Sequence, residues 1–142
     1  MLSKAIIGAR ILLGLVFFVF GLNGFLHFIP LPPPSGSAAA FLGGLAAAGY
    51  FYPALSIIQT VAGAALLVGR FVPLALVVLA PAVANILAFH LFLDASGIPH
   101  ATVMALLELF LAWAYRDAFR PLLLSRPAKA VLGAVATDDA AE

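Results

Sequence analysis

Apolar residues run almost unbroken through four stretches of the chain, separated by short polar or proline-rich punctuation. The stretches cover about residues 5–29, 53–68, 71–93 and 99–119. A span needs about 20 mostly apolar residues to cross a hydrocarbon core of roughly 30 Å, and each stretch is near that length. The second is the shortest, but Tyr50, Phe51 and Tyr52 precede it as an aromatic cluster suited to headgroup level. Spans of this kind are helical, because hydrocarbon offers an unpaired backbone group no partner. Pro73 falls in the opening turn of the third stretch, where it is tolerated. Pro81, further in, is expected to kink the helix and free the carbonyl of Val77.

The pattern predicts an all-α fold, a transmembrane four-helix bundle formed as one domain by residues 1–126. Residues 127–142, ending in TDDAAE, read as a poorly ordered cytoplasmic tail. The segment SGSAAAFLGGLAAAGYF, residues 35–51, is short and rich in Gly and Ala. It is read as an extracytoplasmic loop carrying a short interfacial or re-entrant helix between the first two spans. The first stretch is too long for the core of a signal peptide, lacks a clear small-residue cleavage site, and contains Arg10 and Asn23.

Composition agrees with this picture: 65% of the 142 residues are hydrophobic, 9% are charged, and the mean hydropathy is +1.17. The placement of charge adds orientation. Lys4, Arg10, Arg70, Arg116, Arg120, Arg126 and Lys129 all fall on one side if there are four spans, and the opposite loops carry no basic residue. By the positive-inside rule both termini are then cytoplasmic. This accounts for the basic residues without nucleic acid, which is not an expected partner. With no cysteine, the chain has no thiol of its own for a disulfide, an iron–sulfur cluster or a redox relay.

The polar residues inside the spans carry the functional signal. At about 1.5 Å per residue, Asn23 and His27 lie within roughly 10 Å of the outer end of the first span. Gln59 sits at a similar depth in the second, Asn85 and His90 in the outer half of the third, and Glu108 near the middle of the fourth. Glu108 shares a helical stripe with Ala101, Ala105, Ala112 and Tyr115, and Gln59 one with Ser56 and Gly63. Small residues of this kind let helices approach closely. Asn85 is therefore placed in the bundle interior, and His90, turned about 140° from it, nearer a rim. Asn23, Gln59 and Asn85 also fit a purely structural role as interhelical hydrogen-bond partners. His100 is read as solvated. A carboxylate at the bilayer centre costs about 2.5–3.5 kcal/mol, so Glu108 needs a partner, a proton or a function. It is the candidate proton-handling group, and catalytic residues are otherwise unassigned.

No metal site is expected, since neither HExxH nor the ExxH pairs of di-iron bundles occur. Haem between His27 and His90 is disfavoured because nothing else marks a haem pocket. Nucleotide-binding and serine-hydrolase motifs are absent from the sequence. A lipid-soluble quinone fits better, because it needs an apolar, aromatic crevice with one or two polar groups for its oxygens. Asn23, His27, Gln59, Asn85, His90 and Glu108 are the candidate ligand-binding set, with Phe25, Phe28, Phe41, Phe51, Phe89 and Phe92 around them.

Three segments, RILLGLVFFVFGLNGFLHFIP, AAAFLGGLAAAGYFYPALSIIQTVAGAALLVGRFVPLAL and NILAFHLFLDASGIPHATVMALLELFLAWAYRDAFRPLL, together resemble the bacterial DoxX family of small four-span membrane proteins. The resemblance extends to Leu124 and is carried by Arg10, Asn23, Gln59, Gly63, Asn85, His90, Glu108 and the Tyr115–Arg116 pair. It implies a bacterial inner-membrane protein linked to quinol-oxidase or thiosulfate:quinone oxidoreductase systems, with other membrane redox subunits or further copies of itself as partners. GLNGFLHF and VANILAFHLF also echo one another, which suggests a duplicated helical hairpin. The leading expectation is an accessory subunit of a quinone-linked assembly that does not turn over substrate alone. The alternatives are a structural or assembly subunit without ligand, and a small-solute or proton pathway.

Overall fold

The computed structural model describes residues 1–123, and every regular element among them is a helix. The expected tail at 127–142, and Arg126 and Lys129, lie outside the described residues. Four helices are long and apolar enough to cross a membrane: α1 (Leu2–Leu26), α3 (Phe51–Val68), α4 (Val72–Phe92) and α5, whose helix at Ile98–Ala114 is preceded by a 3-10 turn at Ala95–Gly97. Between α1 and α3 lies the 12-residue helix α2 (Gly36–Ala47). A short α6 (Arg116–Phe119) and a 3-10 turn (Arg120–Leu123) follow α5.

Two helix ends fall earlier than the hydropathy suggests. The first span was expected to reach Ile29, but α1 stops at Leu26, where His27 takes a left-handed conformation at φ 52° and donates its N–H to the Asn23 carbonyl. The cause is local competition: the Asn23 side chain bonds the peptide of Ile29, a partner it reaches only if the backbone leaves the helix. Pro30 and Pro32–Pro34 then prevent the helix from resuming. The fourth span was expected to continue to Phe119, but α5 ends at Ala114. There Arg116 Nη1 donates to the Trp113 carbonyl at 3.1 Å, and its guanidinium lies 5.1 Å from the Trp113 ring centroid. The side chain thus takes up a carbonyl of the last helical turn. α4, by contrast, runs through Pro81 as one helix, with Pro73 in its first turn.

Helix α1 packs most extensively on α3, α3 also meets α4, α4 packs on α5, and α5 returns to α1. The core where they converge contains Leu13 and Phe17 of α1, Leu66 of α3, Leu76 and Leu79 of α4, and Leu111 of α5, all essentially inaccessible. Only 17–28% of each spanning window is buried, and the outward faces carry large apolar side chains such as Ile11, Leu15, Val61, Leu74, Val78 and Leu106. Such a surface suits hydrocarbon rather than water.

The α1–α3 contact depends on close backbone approach. A Cβ on Gly63 would lie 2.5 Å from Phe18 N and 2.9 Å from the Gly14 carbonyl, both backbone atoms that cannot rotate away. Gly63→Ala should therefore destabilise the protein by about 1–3 kcal/mol, read as a lower unfolding midpoint in mixed micelles. Gly8→Ala adds a methyl that meets nothing within 4 Å and should be neutral, or stabilising by up to about 1 kcal/mol. Equal effects of the two substitutions would contradict this packing.

Candidate functional site

A cavity of about 850 Å³, open on one side to the surface, lies between the C-terminal halves of α1 and α4 and the N-terminal halves of α3 and α5. Phe17, Phe20 and Asn23 of α1, Tyr52, Ser56 and Gln59 of α3, Ile86 and His90 of α4, and Ala101, Met104 and Leu107 of α5 line it. Leu31, in the chain after α1, and Pro99 and His100, in the first turn of α5, complete the lining. The walls are mainly apolar and aromatic with a few polar groups, the composition typical of a site for a small apolar ligand.

The polar groups are held by their own backbone neighbourhood. Asn23, 6% exposed, accepts a hydrogen bond from Ile29 N at Oδ1 (2.6 Å) and donates from Nδ2 to Ile29 O (3.3 Å). Tyr52 Oη donates to the carbonyl of Leu42 in α2 at 3.2 Å, which ties α2 to the start of α3. The rings of Phe41 in α2 and Phe89 in α4 lie 5.9 Å apart and add a second apolar tie. His90 donates from Nδ1 to the Asp94 carbonyl at 3.0 Å, with the Asp94 carboxylate 3.7 Å away. Asp94 itself accepts from Ser96 Oγ at 2.6 Å and Ser96 N at 3.1 Å. The Ser96 hydroxyl first, then its amide, hold the Asp94 carboxyl below the usual carboxylate range. Stability from this turn is present above the unfolded carboxyl pKa and is lost as the pH falls through the lowered folded value.

The six residues singled out in the sequence separate in space. Asn23, Gln59 and His90 line the cavity. His27 is exposed at the left-handed end of α1 and is not among the lining residues, so it is not brought together with His90 there. Asn85 was placed in the interior, but it is exposed on the outer surface of α4, while His90 rather than Asn85 turns to the cavity. The inward face of α4 at this level is thus that of His90, and the expectation for Asn85 is corrected. Pro81, which is exposed, marks the same outward face of α4 one turn before Asn85.

Glu108 is 6% exposed and lies on α5 beside the lining residue Leu107, but does not itself line the cavity. Its Oε2 is buried with no hydrogen-bond partner among the described residues. Of the candidate ligand-binding set, Asn85 and Glu108 thus stand apart from the cavity that Asn23, Gln59 and His90 line. Of the phenylalanines grouped with that set, Phe25, Phe28, Phe41 and Phe92 are exposed, and the phenylalanines of the cavity wall are Phe17 and Phe20 instead. Tyr52, Ser56 and His100 were not in the sequence-derived set. Tyr52 and Ser56 share the stripe of Gln59 at spacings of seven and three residues, a signal that the aromatic-belt reading of Tyr52 obscured. Among the described residues, no group of three His, Asp or Glu side chains is placed to hold a metal ion. The chain matches no protein-family model, no curated protein and no solved structure.

Removing the Asn23 amide should free the Ile29 N–H, and Asn23→Ala is expected to cost about 1–2 kcal/mol with faster hydrogen exchange at Ile29. Unchanged exchange there would show the contact to be unimportant. Glu108→Leu removes a buried oxygen without a partner and should stabilise the fold by about 1–3 kcal/mol. A loss of stability in the same unfolding assay would instead reveal a partner for the carboxyl.

Proposed function

We propose that this chain is a DoxX-type protein of the bacterial inner membrane, a four-helix transmembrane bundle with α2 as an interfacial helix on its outer side and both termini in the cytoplasm. In this reading it serves as an accessory subunit of a quinone-linked redox assembly. The observation that carries the proposal is the outer-half cavity: about 850 Å³ of mainly apolar wall with His90, Gln59, Tyr52 and Ser56 as its polar contacts. A quinone has the same division, a ring with polar oxygens on an apolar tail. The chain contributes the binding site, and a partner with its own redox centre contributes electron transfer, since no cysteine is present here. Asn85 supports a partner in the membrane, because an amide on a lipid-facing helix surface gains about 0.6–2 kcal/mol from an interhelical hydrogen bond.

A structural role without ligand is the second reading, and the bonding of Asn23 to its own backbone favours it. A solute or proton pathway finds less support. The inward side of the cavity gives way to the inaccessible core of Leu66, Leu76 and Leu111, with Glu108 set apart from the lining.

The test is purification in mild detergent from native membranes, with mass spectrometry of the bound lipids and proteins. Wild type should carry quinone, and Val103→Trp, which adds bulk at an exposed position of the cavity wall, should lose it while keeping its thermal stability. Quinone missing from the wild type, or equally retained by the variant, sinks the proposal. A single cysteine introduced at Ser96 in this cysteine-free chain should react with an impermeant maleimide from the periplasmic side only. Labelling from the cytoplasm would reverse the orientation.

A further inference from the structure

Helices α3 and α4 are joined by the turn Gly69–Phe71 and hold between them a groove that shares no lining residue with the cavity above. Ile57, Val61 and Ala65 line it on α3, and Phe71, Leu74 and Val78 on the side of α4. Every lining residue is apolar, and the volume is about 330 Å³. From Ile57 to Ala65 the groove follows about 12 Å of helix. Spread over that length, the volume leaves a cross-section of about 27 Å². A groove so narrow admits a hydrocarbon chain lengthwise, but a helix, roughly 10–12 Å across, only by the tips of its side chains.

At the end where α3 gives way to α4 the groove meets positive charge. Phe71, the lining residue in the turn itself, stands in the left-handed region at φ 56°, a conformation that strains a bulky residue and that glycine takes freely. Its ring is exposed, and the guanidinium carbon of Arg70 lies 5.9 Å from the ring centroid. The Arg10 guanidinium packs against Gly69, one residue before Arg70. The ion pairs among the described residues are His90–Asp94 and Arg120–Asp117, so neither arginine is neutralised by a carboxylate of these residues. Topology alone would be served by a basic residue anywhere in this turn, without a strained phenylalanine beneath it.

We propose that this groove binds an anionic phospholipid, with one acyl chain lying along α3 and α4 and the phosphate paired with Arg70. The ends of membrane spans stand at headgroup level, so a lipid upright in its leaflet brings its phosphate to the turn and its chain to the groove. Guanidinium and phosphate form charge-assisted hydrogen bonds, and the aliphatic walls accept the chain. The site lies on a different face of α3 from the cavity and does not depend on the quinone reading.

Native mass spectrometry of the full chain, stripped of lipid in mild detergent, reads lipid binding and oligomeric state together. Dioleoyl phosphatidylglycerol is compared with dioleoyl phosphatidylcholine, which has the same chains without the net charge, and with glycerol phosphate, the headgroup without chains. Wild type should hold phosphatidylglycerol about fivefold more tightly than phosphatidylcholine, the worth of one basic side chain near a membrane surface, and should not retain glycerol phosphate. Arg70→Gln should bring the two lipids level, whereas Arg116→Gln, at the end of α5, should leave the preference unchanged. Val61→Trp adds bulk at an exposed position of the groove wall and should weaken binding of both lipids without lowering the unfolding midpoint. Phe71→Gly removes the ring together with its strain and should weaken both in the same way. Equal binding of the two lipids by wild type overturns the inference, as does a preference that survives Arg70→Gln or falls as far in Arg116→Gln. A wild-type dimer that Val61→Trp abolishes assigns the groove to a second copy of the chain and overturns it as well.

Discussion

A polar side chain in hydrocarbon must find its partner within the protein, and here the side-chain hydrogen bonds of the described residues are all short-range in sequence. Asn23 turns to Ile29, Tyr52 to Leu42, His90 and Ser96 to Asp94, and Arg116 to Trp113. Each of these contacts spans ten residues or fewer. They lie where a helix ends or a loop begins, the places where backbone groups lack helical partners. The bonds fix where α1 and α5 stop, tie α2 to α3 and set the turn after α4. Positions of the loops, and with them the mouth of the cavity, follow from these local choices.

Because the polar groups are used locally, cohesion between the helices comes from other sources. Leu13, Phe17, Leu66, Leu76, Leu79 and Leu111 interlock at the centre, and α1 and α3 approach through Gly14 and Gly63. In lipid this association depends on packing rather than on escape from water. Tight contact in the core coexists with a roomier end of the molecule, where Ala101 of α5 and Ser56 of α3 are among the small residues of the cavity wall. The same local bonding reaches the cavity wall, where the Nδ1–H of His90 and the hydroxyl of Tyr52 are used on the Asp94 and Leu42 carbonyls.

Three buried atoms stand outside this arrangement: Arg10 Nε, Thr60 Oγ1 and Glu108 Oε2 have no partner among the described residues. Buried polar groups left unpaired each cost free energy comparable to a lost hydrogen bond, and a carboxyl costs more. Arg10 lies against Gly69, at the C-terminal end of α3, where a positive charge is favoured by the helix dipole. Glu108 has no such compensation in view, and its place beside the cavity rather than in its wall separates its role from direct contact with a bound molecule.

Hydropathy and length by themselves determined that four helices can cross a membrane, because twenty apolar residues in a row leave few other soluble or insoluble arrangements. Proline and glycine placed most of the boundaries to within a few residues. The exceptions, the ends of α1 and α5, arose where a side chain captured a backbone group, an event that residue type permits but does not compel. The candidate site was legible in part: Asn23, Gln59 and His90 are in the cavity wall, as periodic polar residues in otherwise apolar helices suggested. Which face of α4 turns inward was decided only in three dimensions. That helix is apolar nearly all round, so its sequence carries no strong amphipathic direction, and packing of Leu76, Leu79 and Val83 into the core turned Asn85 outward and His90 inward. Tertiary structure also set Glu108 apart from Leu107, since one helical step of about 100° is enough to move a side chain from the wall of a cavity to the packing behind it.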